Sequence, residues 1–178
     1  DIQAIVEEIY SNRENLNYTS KKGQAMQSSI TIIDNATGSV VAIAGQFGEK
    51  EGNLLTNYAN TAQRQPGSSF KPLSVYSPAL EMGVISPISI IDDYPYNDSN
   101  GSGWPINSGA ARYKGLTTVR QGLTNSVNTI AVRILADLVT PQYSFNFVEE
   151  KYKIDLVDAI EVNGQIKSDI DTAPLSMG

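Results

Sequence analysis

Arg64-Gln65-Pro66-Gly67-Ser68-Ser69-Phe70-Lys71-Pro72 joins a Pro-Gly turn to a stretch of helical character. The reading predicts a helix that begins near Ser68. Pro72 falls in its first turn, where a missing N–H is tolerated, and Gly83 supplies its stop. At a spacing of i and i+3, the Ser68 hydroxyl and the Lys71 amine share one helix face. A serine alone is a poor nucleophile because its proton must leave as it attacks, and a neighbouring amine can accept that proton. Further along, Ser126-Val127-Asn128 offers a second polar triplet of the kind such a site needs. The combination points to acyl transfer through a serine.

Ser-x-x-Lys by itself carries little information. On this composition about 0.8 matches are expected by chance, and requiring Gly before the serine and Pro after the lysine lowers that to roughly 0.003. Ser-x-Asn is weaker and occurs twice, at Ser126 to Asn128 and at Ser144 to Asn146. The second lies inside a helix expected after Pro141 and reads as surface. Each residue also has a plain alternative: Ser68 as an ordinary helix cap, Lys71 as a surface lysine, Ser126 and Asn128 as caps at a helix break.

The residue types missing from the chain narrow the chemistry. The 178 residues include no histidine, so a Ser-His-Asp triad and any His-based metal site are excluded, and lysine leads as the base. Cysteine is absent too, which removes disulfides and thiol chemistry. No metal or cofactor is expected. Net charge is −6, and no basic run interleaves with aromatics, so nucleic acid is not an expected partner. No apolar run reaches the ~18 residues of a membrane-spanning helix. At 40% hydrophobic, the chain can bury a real core.

Along the chain, Ile2, Ile5, Val6 and Ile9 recur at helical spacing and predict a short amphipathic helix over residues 2–10. Residues 11–27 read as a polar linker, so the expected division is 1–27 and 28–178. Ile30–Ile33 and Val40–Ala44 flank an Asn/Gly turn and predict a β-hairpin. Residues 45–67 read as a loop. In the Ser68 helix, Phe70, Leu73, Ser77 and Leu80 form the expected inner stripe, with a kink at Pro78. Residues 97–109 read as an exposed loop. Thr117 or Thr118 can cap a helix to about Thr124. After a break, a second helix follows with Ile130, Ile134, Leu135 and Leu138 inward. Thr140-Pro141 marks another helix start.

Asn60 to Pro72, Trp104-Pro105-x-Asn107 and Leu116 to Val132 together resemble the transpeptidase domain of class A (bifunctional) penicillin-binding proteins, for which Ser-x-x-Lys is the first of three motifs. The resemblance runs from the strand pair near residue 30 to the C-terminus. It implies an α/β fold of the α+β kind, like penicillin-binding proteins and serine β-lactamases, with helices packed on an antiparallel sheet. It also implies Ser68 as nucleophile, Lys71 as base, Ser126 relaying a proton toward the leaving amine, and Asn128 holding both Lys71 and the substrate backbone. Trp104 either walls the cleft as a substrate-binding residue or anchors its loop to the core. No Lys-Thr-Gly triplet occurs, and Ala173–Gly178 resembles a stretch that precedes it in the family. The expectation is therefore an excised, incomplete domain that is itself a poor enzyme and that either self-associates or contains a cleft open on one side.

By the same resemblance, the partners are peptidoglycan stem peptides and β-lactam antibiotics. The setting is the extracytoplasmic face of a bacterial membrane, to which an anchor elsewhere in the parent would tether the domain. Two rivals stand beside the transpeptidase. A non-catalytic penicillin-binding sensor would keep the serine without turnover. A β-lactamase, named with a D,D-carboxypeptidase as a further alternative, would need a residue that activates water, and Glu149, Glu150 and Glu161 sit in no recognised pattern for one.

Overall fold

The computed structural model describes residues 1–50, 52, 55–97, 103–109 and 113–178. The chain forms two compact units, Asp1–Arg64 and Gln65–Gly178. In the first of these, the helix at residues 2–11 packs on the hairpin that follows the linker.

In the first unit, α1 (Ile2–Ser11) is capped by the Asp1 side chain. A 3₁₀ turn, Arg13–Leu16, follows, and β1 (Ile30–Ile33) pairs antiparallel with β2 (Val40–Ala44), as the β-branched runs predict. The Asp34 carboxylate closes the turn between them by accepting from Ala36 N and Thr37 Oγ1, which lowers its pKa. The apolar stripe expected on α1 does not face inward. Ile2, Ile5 and Ile9 are exposed, and only Val6 is buried. Gln3 faces β2 instead, and its carboxamide pairs with both the N–H and the C=O of Ile43 as another strand would. Val6, Ala42 and Ala44 form a small core with Tyr10, Ile30 and Ile32. Within the expected loop, α2 (Tyr58–Thr61) adds one helical turn.

The second unit opens at Gln65, within the turn that leads to Ser68. Gly67 takes φ +57°, a left-handed conformation that suits glycine, and residues Gly67–Phe70 make a 3₁₀ turn. A π turn (Pro72–Tyr76) and then α3 (Ser77–Glu81) complete the segment. Two prolines account for these irregularities. In a regular helix the carbonyl of Ser68 would bond the N–H of residue 72, which is proline; the Lys71 N–H takes that carbonyl and tightens the turn. Pro78 likewise has no N–H for Ser74 O, which accepts from the buried Ser144 hydroxyl. The Ser77 N–H reaches back to Pro72 O, which widens the helix there.

Consequently the expected inner stripe is rotated. Phe70, Val75 and Ala79 are buried, Leu73 and Ser77 are half-buried, and Leu80 is exposed. A constant 100° per residue does not hold across a 3₁₀ turn followed by a π turn. The kink expected at Pro78 takes the form of that π turn.

β3 (Ile90–Asp93) pairs antiparallel with β4 (Gly115–Thr118). Thr118 caps α4 (Val119–Thr124) in a reciprocal capping box with Gln121. The expected break at 125–127 follows, then α5 (Asn128–Arg133), which continues as a π segment (Ile134–Val139). Ile130, Ile134 and Leu135 are fully buried, whereas Leu138 lies at the rim and is exposed. Thr140 caps α6 (Pro141–Phe147), which runs on as a π turn (Val148–Tyr152). Ser144, expected at the surface, is buried in this helix, and Asn146 is exposed.

β5 (Ile160–Val162) and β6 (Gln165–Lys167) form a hairpin around Asn163-Gly164, both at positive φ. α7 (Thr172–Met177) buries Leu175, and the Ser74 hydroxyl donates to its carbonyl. α5 packs beside α7, with Phe70, Val75, Ala79, Ile130, Ile134 and Leu175 at the centre of the core. Among the described residues the fold is thus a mixed one, of helices with short antiparallel sheets.

Candidate active site

Ser68 stands exposed on the 3₁₀ turn, three residues before Lys71. In a 3₁₀ turn side chains at i and i+3 eclipse, so the two lie on the same side. The Ser68 hydroxyl makes no hydrogen bond among the described residues. Lys71, by contrast, is 1% exposed, the largest of the fully buried side chains. Its Nζ donates to Asn128 Oδ1 at 2.6 Å and to Ser126 O at 2.8 Å, and lies 3.2 Å from Ser126 Oγ. The structure therefore gathers Lys71, Ser126 and Asn128 around one amine, with Ser68 on the same turn but not hydrogen-bonded to them.

The backbone explains how one residue offers two oxygens to a single amine. Ser126 adopts φ +53°, in the left-handed region, at the break between α4 and α5. That conformation is uncommon for a residue with a side chain and costs on the order of 1–3 kcal/mol. The break itself begins where the capping box of α4 ends and the Asn125 and Ser126 N–H groups close the last turn onto Gln121 and Leu123. Asn128 is the first residue of α5, and its amide has a defined orientation. Nδ2 donates to Ile106 O at 2.7 Å, so Oδ1 must face Lys71.

The lysine's partners are all neutral oxygens, and burial lowers its pKa from 10.5 to about 8. An ordinary lysine would need about 4.6 kcal/mol to be neutral at pH 7, and one titrating near 8 needs about 1.4 kcal/mol. Roughly one molecule in ten then carries a neutral amine at pH 7. In that form, two N–H bonds satisfy Ser126 O and Asn128 Oδ1, while the Ser126 hydroxyl can turn to donate to the lone pair. Such a group can take a proton from a serine and pass it on.

A family model for the penicillin binding protein transpeptidase domain matches residues 28–177. The chain belongs to that family. Relatives include Penicillin-binding protein 1A of Neisseria lactamica, 38% identical over 116 residues (64% of this chain and 14% of that protein). The protein of the same name from Neisseria flavescens is 35% identical over 124 residues, 68% of this chain and 15% of that one. Penicillin-binding protein 1A/1B of Bacillus subtilis (strain 168) is 34% identical over 110 residues, 62% of this chain and 12% of that one. The chain matches about a seventh of the length of these relatives.

Within this member of the transpeptidase family, Trp104 lies two residues before Ile106, whose carbonyl accepts from Asn128. Its ring meets Tyr96 edge-on at 6.5 Å, and its backbone pairs with Tyr96 and Asn97. Part of the loop expected over 97–109, residues 98–102, lies outside the described residues. Three polar residues that motif reasoning left unassigned also converge behind Asn128. Asp93 is 1% exposed, Asn107 is buried, and Thr129 is fully buried. Asn107 sits in Trp104-Pro105-x-Asn107, so its place in that pattern is the signal that could have found it. Asp93 and Thr129 carry none.

Proposed function

We propose that the chain supplies the nucleophile and base of a serine-type D-Ala-D-Ala transpeptidase of peptidoglycan. The observation that carries this reading is the buried Lys71 amine held by Ser126 and Asn128 on the turn that bears Ser68. Neutral Lys71 accepts the Ser68 proton as Oγ attacks the carbonyl of the penultimate D-Ala of a stem peptide. The Ser68 backbone N–H, at the start of its helical segment, stabilises the oxyanion in this reading. Collapse forms the serine ester and breaks the peptide bond; the proton returns from Lys71 through the Ser126 hydroxyl to the departing D-Ala amine. An amine from a neighbouring strand then attacks the ester, gives its proton back along the same path and restores Ser68. Asn128 positions Lys71 and the peptide backbone, and Trp104 borders the substrate.

A β-lactam presents the same carbonyl to Ser68, but its leaving nitrogen stays tethered to the acyl group, so the ester persists. In this reading residues 28–178 are part of the transpeptidase domain and 1–27 a preceding helix and linker. The domain works on the extracytoplasmic face of a bacterial membrane. No helix of the described residues is long and apolar enough to cross one, so tethering would fall to another segment of the protein.

The test is to treat the full-length protein with a penicillin, digest it and locate the adduct by mass spectrometry. A stoichiometric adduct on Ser68, lost in Ser68→Ala with the fold intact, is expected. An adduct on another serine, or none, overturns the assignment.

A further inference from the structure

The helix that presents Asn128 cannot cap itself. Its cap residue, Val127, has no polar side chain, and the N–H groups of the first turn need acceptors. Asn107, from a segment 21 residues earlier, provides one. Its Oδ1 accepts from Asn128 N at 2.9 Å and from Thr129 N at 3.2 Å. Asn107 is in turn held by Asp93 at the end of β3, whose Oδ1 accepts from Asn107 Nδ2 at 2.6 Å and also from the Thr129 hydroxyl. Lys114 N donates to Asp93 Oδ2 at 2.9 Å and so fixes the second carboxylate oxygen against the start of β4. Next to Asn107, the Ile106 carbonyl grips the Asn128 side chain. Two consecutive residues thus hold Asn128 by its backbone and by its amide.

We infer that Asn107, anchored by Asp93 and Thr129, is a positioning residue that sets where Asn128, and through it the Lys71 amine, is held. The chain of hydrogen bonds runs from Asp93 to Asn107, to the first turn of α5, and from the Asn128 amide to Lys71 Nζ. Every group in it has a fixed direction. A carboxylate accepts only, so Asn107 must turn its NH₂ to Asp93 and its oxygen to the helix. Ile106 O likewise accepts only, so Asn128 must turn its oxygen to Lys71. Removing Asn107 leaves two N–H groups of α5 without their acceptor and Asp93 Oδ1 with the Thr129 hydroxyl in place of two donors, and the first turn of the helix shifts to find other acceptors. This inference rests on the acylation of Ser68 proposed above.

The test compares Asn107→Ala, Thr129→Val and Thr129→Ser with the unaltered protein. Acylation by a fluorescent penicillin is resolved into reversible binding and the acylation rate at saturation. Asn107→Ala is expected to lower that rate about 10- to 100-fold, the effect of misplacing a reacting group by about 1 Å, with reversible binding changed less than about threefold. Thr129→Val keeps the side-chain shape but loses the hydroxyl to Asp93, and lowers the rate about 5-fold, whereas Thr129→Ser restores it. The crystal structure of Asn107→Ala should show the Asn128 amide withdrawn from its 2.6 Å contact with Lys71. An unchanged saturating rate in folded Asn107→Ala, or an Asn128 that stays on Lys71 in that crystal, overturns the inference. Failure of the unaltered protein to take penicillin on Ser68 is a different result and overturns the proposed function, while the crystal still decides the positioning of Asn128.

Discussion

Ser126-Val127-Asn128 and Ser144-Phe145-Asn146 share one pattern and do opposite work. Ser126 lies at a helix break with φ +53°, and both its carbonyl and its hydroxyl face Lys71. Ser144 lies inside α6, where its hydroxyl repairs the carbonyl of Ser74 that Pro78 leaves without a donor. Asn128 opens its helix with its oxygen on the lysine, and Asn146 faces water with its oxygen on Gln142 one turn away. A short polar motif gains chemistry from its backbone. At a break, several polar atoms can converge on one point, whereas in a helix the same side chains serve the helix.

Substitutions can break this comparison, and the largest effect is expected at the amine itself. Lys71→Arg keeps the positive charge but cannot deprotonate, so acylation should fall by about 10² to 10⁴, as far as for Lys71→Ala. Stopped-flow acylation measures it, and a wild-type rate in the arginine variant would make Lys71 an electrostatic fixture. Next come Asn128→Ala and Ser126→Ala, each of which removes a partner of a charged group worth about 1.5–3 kcal/mol, or roughly 10- to 100-fold in acylation rate. Ser144→Ala should leave acylation within twofold but lower unfolding stability by about 1–3 kcal/mol, since it strands a buried carbonyl. Asn146→Ala should change neither, with stability within about 0.5 kcal/mol by denaturant titration. If Ser144→Ala slowed acylation as much as Ser126→Ala, the contrast between the two triplets would fail.

What could be read in the sequence had local causes. The β1–β2 hairpin announced itself through β-branched runs around Asp34 to Gly38, and the α4 start through Thr118 and Gln121. The hairpin around Asn163-Gly164 went unread, because its strands are only three residues each and escape a search by periodicity. Other features depended on partners distant in the chain. Gln3 faces inward because it pairs with the Ile43 backbone, which no amphipathic pattern encodes. Leu80 turns outward because Pro72 and Pro78 change the winding between Ser68 and Glu81, although both prolines are plain in the sequence. In the candidate site, the shared side of Ser68 and Lys71 was legible from a fixed spacing. Asp93, Asn107 and Thr129 act on Asn128 from three separate segments, and no spacing rule joins them.

The pH dependence of Ser68 acylation at saturating penicillin reports most directly on whether the buried amine is the base. Burial holds Lys71 at about 8, so the reactive neutral form declines as pH falls below that value. The rate should rise about tenfold per pH unit between pH 5 and 7, bend near 8 and level off above it. The bend should be absent from the residual rate of Lys71→Arg. A rate that is constant across pH 6 to 10, or one that bends near 8 just as strongly in Lys71→Arg, would contradict the role of Lys71.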